Sequence, residues 1–398
     1  MPHSYGQWMR CRAGAIWDET YLAYDFGDHP LNPVRLELTI RLARALGVLD
    51  RIEVEAPLAA DERQLLTVHS ADYLAAVRAA SVDQTFTGFG LGTGDDPVFP
   101  GMYDAAALVA GGSARAALRL WSGDVEHAVN IAGGLHHAMR DYASGFCIFN
   151  DVALGIRTLL EAGARKIAYV DIDVHHGDGV QAAFYDEPRV LTVSLHQDPR
   201  TLFPGTGFPD EVGAGDATGT SINVALPPGT DDAGWLRAFR AIVPGAVRAF
   251  APDVLVTQCG CDTHHEDPLA NLELTVDGQR AAIVDLHTLA HQVADGRWLA
   301  FGGGGYGLVR CVPRTWTHLL AEATGEPVPA DTSVPPAWKA HIRDRGYRGD
   351  LPDTMGERPL PEVRPWVPGG DGWLDGAIDA ARRAAFPLLG LDPDDPRD

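Results

Sequence analysis

Lys166-Ile-Ala-Tyr-Val-Asp171-Ile-Asp173-Val-His175-His176-Gly-Asp178-Gly179 decides the reading of this chain, because an apolar run ends abruptly in three carboxylates, two imidazoles and two glycines. The segment Lys166–Asp171 has the β-branched, apolar character of a buried strand. If extended geometry continues past it, a period of two places Asp171, Asp173 and His175 on one side. Carboxylates packed that closely resist burial unless protons, hydrogen-bond donors or a cation compensate them. A solvated acidic loop with a helix cap at Asp178 is the bland alternative. The apolar strand and the adjacent histidines argue against it.

Further apolar runs that read as strands are His127–Ile131, Val190–Leu195, Asp253–Cys259 and Trp298–Phe301. Helical patterns lie before the first of these runs, at Pro33–Leu46 and Ala105–Leu120, and between the later ones, at Val152–Ala162, Ala233–Phe250 and Val276–Val293. This alternation predicts an α/β fold with a single large, mostly parallel sheet flanked by helices on both faces. Ligands of such sheets bind beyond the carboxyl ends of the strands. His136-His137, the Asp171 cluster, Ser194, Asp262 and Tyr306 all fall at or after strand ends, so five segments are expected to converge on one edge.

The chain has 398 residues, and 32 Lys+Arg against 54 Asp+Glu leave a net charge of −22. That balance argues against binding nucleic acid or an anionic membrane through a basic surface, but is compatible with basic peptides. No apolar run approaches the roughly 20 residues that span a bilayer, and the first residues lack a signal-peptide core, so a cytoplasmic protein is expected. Five cysteines at 11, 147, 259, 261 and 311 form no disulfide framework. They read as buried structural thiols. The composition divides the chain into a main domain, 1–322, and a Pro- and Trp-containing extension, 323–398. Trp338, Trp366 and Trp373 are expected to anchor the extension to the domain, and the acidic end 392–398 to be disordered.

The residues at the strand ends suggest chemistry. Asp173, His175 and Asp262 supply oxygen and nitrogen donors for a catalytic zinc with one open position, and ferrous iron accepts the same donors. His136 and His137 read as a proton-transfer pair, with Asp171 and Asp178 available to hold their far ring nitrogens. Gly302, Gly304 and Gly307 formally fit a dinucleotide fingerprint, a weak match so late in the chain. The loop instead presents Tyr306 on flexible glycines as a donor to a developing oxyanion.

Ala-Gly-Gly-Leu-His136-His137, Ser-Gly145-Phe146-Cys147, Asp171–Gly179, Phe203-Pro-Gly-Thr-Gly207, Gln-Cys-Gly-Cys-Asp262 and Gly-Gly-Gly-Gly-Tyr306 resemble, in order, the motif series of the zinc-dependent histone deacetylase family. Gly27–Arg35, Gly94–Met102 and the C-terminal extension most resemble the bacterial acetoin-utilisation deacetylases. The resemblance implies the arginase–deacetylase fold and hydrolysis of acetylated lysine side chains on proteins or peptides, releasing acetate. It also implies regulation of a metabolic enzyme such as acetyl-coenzyme A synthetase.

By the same resemblance, Asp173, His175 and Asp262 match zinc ligands, His137 with Asp178 the general base and acid, His136 with Asp171 its electrostatic neighbour, and Tyr306 the oxyanion donor. Gly145, Phe146 and Phe203 match the walls of the lysine tube, Asp95 and Leu269 its rim, and Arg35 the internal channel for acetate. Asp171, Asp173, His175, Ser194 and Leu195 match a structural potassium or sodium site. Phe184 and Val190 match a second in part, with Glu187 and Thr220 departing from it. Alternative readings are a deacylase of acetylpolyamines or other small amides, an arginase-like hydrolase, and a non-catalytic acetyl-lysine binding module. The absence of repeated Asp-rich motifs disfavours the second.

Overall fold

A computed structural model describes residues 10–398. Among the described residues, eight strands form one sheet: β1 (Ala13–Ile16), β2 (Glu53–Glu55), β3 (His127–Asn130), β4 (Ile167–Asp171), β5 (Val190–Gln197), β6 (Ser221–Leu226), β7 (Val254–Gln258) and β8 (Trp298–Phe301). Their order is β2-β1-β3-β8-β7-β4-β5-β6, and every pairing is parallel. Parallel strands buried on both faces read as continuous apolar runs, which is why the central ones are plain in the sequence. The structure extends the third expected strand to Gln197, so Ser194 lies inside β5 rather than at its end.

Helices form two layers. Met102–Trp121 packs with Asp151–Glu161 over one face, while Val34–Ala45, Val312–Ala323, Val276–Val293 and Asp232–Phe250 pack in series over the other. Side-chain caps set several helix starts: Asn150 accepts from the Ala153 N–H, Asp231 from Gly234 and Thr275 from Gly278.

The two sheet edges are managed differently. At β2, Glu53 and Glu55 stay partly in water and pair with Arg119 and Arg115, a charged edge that discourages strand addition. At β6, the helix Trp373–Ala385 packs along the strand. The Trp338 indole donates to the Leu38 carbonyl at 2.9 Å, and Trp366 is buried with its N–H on Asp379.

Two expectations for the extension are corrected. Trp373 is 86% exposed and anchors nothing. The acidic end is ordered around Arg382, whose guanidinium lies over Trp366 and Phe386 and donates to the carbonyls of Asp392, Pro393, Asp395 and Asp398. A buried guanidinium needs its donors satisfied, and the tail carbonyls do this.

Candidate active site

β4 ends at Asp171, and residues 172–177 leave the sheet, so side-chain alternation does not gather the acidic cluster as expected. Successive side-chain-to-backbone turns do. The Asp173 N–H donates to Asp171 Oδ1 at 3.1 Å, and the His175 N–H to Asp173 Oδ1 at 3.0 Å. The chain then enters the helix Asp178–Phe184, which puts Asp178 in its first turn.

His136 and His137 arrive from the turn after β3. The Asp151 carboxylate accepts from the Gly134 and Leu135 N–H groups and the Ser113 hydroxyl, while Asn150 Nδ2 donates to the carbonyls of His136 and Ala138. Held this way, the two imidazoles bring their Nε2 atoms within 3.1 Å of each other. Their Nδ1 atoms each meet a carboxylate at 2.7 Å, His136 on Asp171 and His137 on Asp178.

The two rings have opposite electrostatics. Burial pulls His136 down, but Asp171 and Asp173 outweigh it and lift its pKa to about 9. Burial and the neighbouring His136 take His137 down to about 4 despite Asp178. Two titratable groups pushed apart are what a proton-transfer pair requires.

Asp173, His175 and Asp262 converge with their ligand atoms within 4.8 Å of one another, and all three are buried. His175 Nδ1 lies 3.1 Å from both Asp173 Oδ1 and Asp262 Oδ2. Gln258 and the Gly304 N–H each donate to Asp173 Oδ2 at 2.7 Å, and the Val174 N–H to Asp262 Oδ1 at 2.9 Å. Burial and the charge of Asp173 push Asp262 up to about 8. Two buried carboxylates in such conflict, with a ring nitrogen between them, fit a dication well.

The glycine loop after β8 is pinned, in contrast to the flexible loop expected. Arg35, buried beneath it, donates to the Gly303 and Gly305 carbonyls at 2.7 and 3.2 Å. A Cβ at Gly304 would lie 1.9 Å from Asp262 Oδ2, so only glycine lets this backbone reach the acidic cluster. Tyr306 follows, its N–H held by Asp267 Oδ2 at 2.8 Å. Burial, Asp262 and Asp173 keep its phenol well above the usual range and therefore protonated.

A narrow pocket leads to this cluster, lined among others by Gly145, Phe146, His137, His175 and Tyr306. Phe146 meets Tyr306 edge-on at 5.7 Å, and Phe203 meets His137 at 5.0 Å. Asp95 is exposed near His29, which packs on Phe146. Leu269 is tied back to Asp267 through its N–H. Arg35 borders a small internal cavity that shares Leu31 and Leu135 with the pocket. Ser194 lies in register beside Asp171, and its hydroxyl bonds His196 Nδ1 at 2.9 Å. Leu195, Phe184 and Val190 are buried.

Sequence reasoning missed Asp151, Asn150, Gln258 and Asp267 as organisers. Asp151 and Asn150 read as an ordinary helix start, and Gln258 as a strand end. Asp267 gave a faint signal in the acidic pair Glu266-Asp267 close after Asp262.

Residues 29–323 match the model of the histone deacetylase domain, a span that contains every residue of the edge cluster. The chain belongs to the histone deacetylase family, and as such is a deacetylase-type hydrolase. It is similar to the acetoin utilization protein AcuC of Bacillus subtilis (strain 168), 41% identical over 81% of this chain and 84% of that protein. AcuC proteins of Staphylococcus xylosus (34% identical over 83% of this chain and 87% of the relative) and Staphylococcus aureus strain MSSA476 (34%, 79% and 82%) are also similar. No helix among the described residues is long and apolar enough to cross a membrane.

Proposed function

We propose that this protein hydrolyses acetylated lysine side chains of cytoplasmic proteins, releasing acetate, with a metabolic enzyme such as an acetyl-coenzyme A synthetase as the class of target. The observation that carries the reading is the convergence, at the inner end of one narrow pocket, of a neutral carboxylate-held imidazole, a protonated phenol and a buried Asp-His-Asp donor set. Asp173, His175 and Asp262 would hold zinc, which supplies Lewis acidity and a lowered pKa for bound water.

The chain's own groups have distinct tasks. His137, uncharged because burial and His136 depress it, takes a proton at Nε2 and returns it to the departing amine. Asp178 fixes its ring and stabilises the imidazolium that forms. The Tyr306 hydroxyl donates to the oxygen of the acetyl carbonyl as charge develops there. Gly145, Phe146 and Phe203 enclose the methylenes of the lysine, and Asp95 receives backbone N–H groups of the substrate at the mouth. Asp171, Asp173, His175, Ser194 and Leu195 would hold a potassium or sodium ion behind the two histidines.

A protein lysine is favoured over an acetylpolyamine because the acidic pair Glu266-Asp267 beside the rim residue Leu269 is already engaged, which leaves Asp95 to meet the backbone of a peptide. Glu266 Oε2 accepts from Arg310 at 2.8 Å, and both oxygens of Asp267 take backbone N–H groups. No free carboxylate of this pair remains to select a second ammonium. The test is direct: zinc-reconstituted protein is given an acetyl-lysine peptide and acetylputrescine in parallel. Release of acetate from the peptide is expected; turnover of acetylputrescine alone would overturn the substrate class, and turnover of neither would favour a binding module.

A further inference from the structure

A second cluster of metal-ligating side chains lies at the opposite edge of the sheet. Cys11 lies two residues before β1, His127 opens β3, and His287 and His291 stand one turn apart on the helix Val276–Val293. Their Sγ and ring nitrogen atoms all lie within 4.8 Å of one another. Cys11 Sγ is 3.9 Å from His287 Nε2 and 3.8 Å from His291 Nε2, and the latter two nitrogens are 3.1 Å apart. A tetrahedral zinc with ordinary Zn–S and Zn–N bonds requires S···N separations of about 3.6 Å and N···N separations of about 3.3 Å. The observed S···N spacings are slightly longer and the N···N spacing slightly shorter than these values, so small side-chain shifts would seat the ion.

Proton bookkeeping points the same way. His287 Nδ1 meets the Glu322 carboxylate at 2.8 Å, and His127 Nδ1 meets the Ala323 carbonyl at 2.7 Å. Each acceptor has only lone pairs to offer, so each Nδ1 carries the proton and, in the neutral rings, each Nε2 turns a lone pair into the cluster. His127 is fully buried, and its Nε2 has no hydrogen-bond partner. A buried ring nitrogen left without a hydrogen-bond partner is costly, and a cation coordinated by its lone pair removes that cost. A carboxylate or carbonyl behind each ring is also the usual outer support of a metal-binding histidine.

We propose that Cys11, His127, His287 and His291 form a closed, four-coordinate structural site for a zinc-class divalent ion. With one thiolate and three imidazoles, the donor set leaves no position open for substrate, unlike the Asp173–His175–Asp262 cluster. The site joins the chain entering β1, the start of β3 and the helix Val276–Val293. Through Glu322 and Ala323 it also ties in the end of the helix Val312–Ala323. It therefore clamps the amino ends of the strands whose carboxyl ends carry the deacetylase chemistry.

Cobalt(II) reports the site separately, because a thiolate ligand gives an intense near-ultraviolet charge-transfer band and the catalytic cluster contains no sulfur. Metal-stripped full-length protein is reloaded with cobalt(II), and absorbance and bound cobalt are measured. Asp262→Ala is expected to keep the band while losing one bound ion, and Cys11→Ser to lose the band and one ion while keeping hydrolysis. His291→Ala, at a half-buried position, provides an independent variant should Cys11→Ser fold poorly. Absence of the band from wild-type protein, its survival in folded Cys11→Ser, or an unchanged band together with unchanged cobalt affinity in folded His291→Ala, would overturn the proposal. Equal cobalt content in wild type and Asp262→Ala would instead count against the catalytic metal ligands and leave the band to decide this site.

Discussion

Asp267 holds the backbone of Tyr306: one carboxylate oxygen takes the Tyr306 N–H at 2.8 Å, while the other takes the Leu269 N–H at 3.0 Å. A single buried side chain thus couples the proposed oxyanion donor to the rim of the pocket. Tyr306→Phe is expected to lower kcat by about 10²–10³, the usual cost of removing one preorganised donor, with bound zinc unchanged by metal analysis. Asp267→Ala should lower kcat less, because the phenol remains but its backbone loosens. Unchanged peptide hydrolysis in Tyr306→Phe would remove the tyrosine from the mechanism.

Gly145 lines the pocket against His137 and Phe203. A Cβ there would lie 2.5 Å from His137 Cδ2 and 2.9 Å from Phe203 Cε1, and the backbone sits at φ +56°. Gly145→Ala is therefore expected to push the imidazole and the phenylalanine apart, reducing kcat/KM for an acetyl-lysine peptide by at least about tenfold, since small misplacements of reacting groups are expensive. The strained φ should cost about 1 kcal/mol of stability, small enough for the variant to fold. Urea titration beside the kinetic assay separates the two effects.

The central strands, and the polar residues gathered beyond their carboxyl ends, were legible because each apolar run stops at or just before such residues, as at Asp171 and shortly before Asp262. β1, β2 and β6 escaped the reading for different reasons. Ala13–Ile16 is short and made of small residues, Glu53–Glu55 is an exposed edge without an apolar face, and Ser221–Leu226 mixes polar residues into a strand that is nonetheless buried. The structural metal cluster was hidden for another reason. His287 and His291 show a helical spacing of four, but their partners at positions 11 and 127 are joined to them only by strand order. Long-range convergence leaves no local periodicity to read.

Asp151 supports the histidine turn from below by taking two backbone N–H groups and the Ser113 hydroxyl, although burial raises its pKa. Asp151→Ala leaves those donors buried without an acceptor, at about 1–3 kcal/mol for each group that finds no water. The expected outcome is a urea midpoint lowered at unchanged m-value, together with a loss of activity larger than the fraction unfolded explains. A variant with wild-type stability and turnover would show that the turn holds itself.

The His264 imidazole couples stability to pH outside the catalytic cluster. Burial alone would lower its pKa, but Cys311 and the Glu357 carboxylate, 3.0 Å from Nε2, outweigh burial and lift it to about 9. Because the folded value lies above the ordinary 6.5, its contribution is fully present below about pH 6.5 and is lost as the pH rises toward 9. Glu357 also binds Arg314 and accepts the Val276 N–H, so the pair joins the extension to the start of the helix Val276–Val293. Thermal melts from pH 6 to pH 9 should show a falling Tm for the wild-type protein and a flatter profile for His264→Asn. Parallel profiles for the two proteins would assign the alkaline loss of stability to other groups.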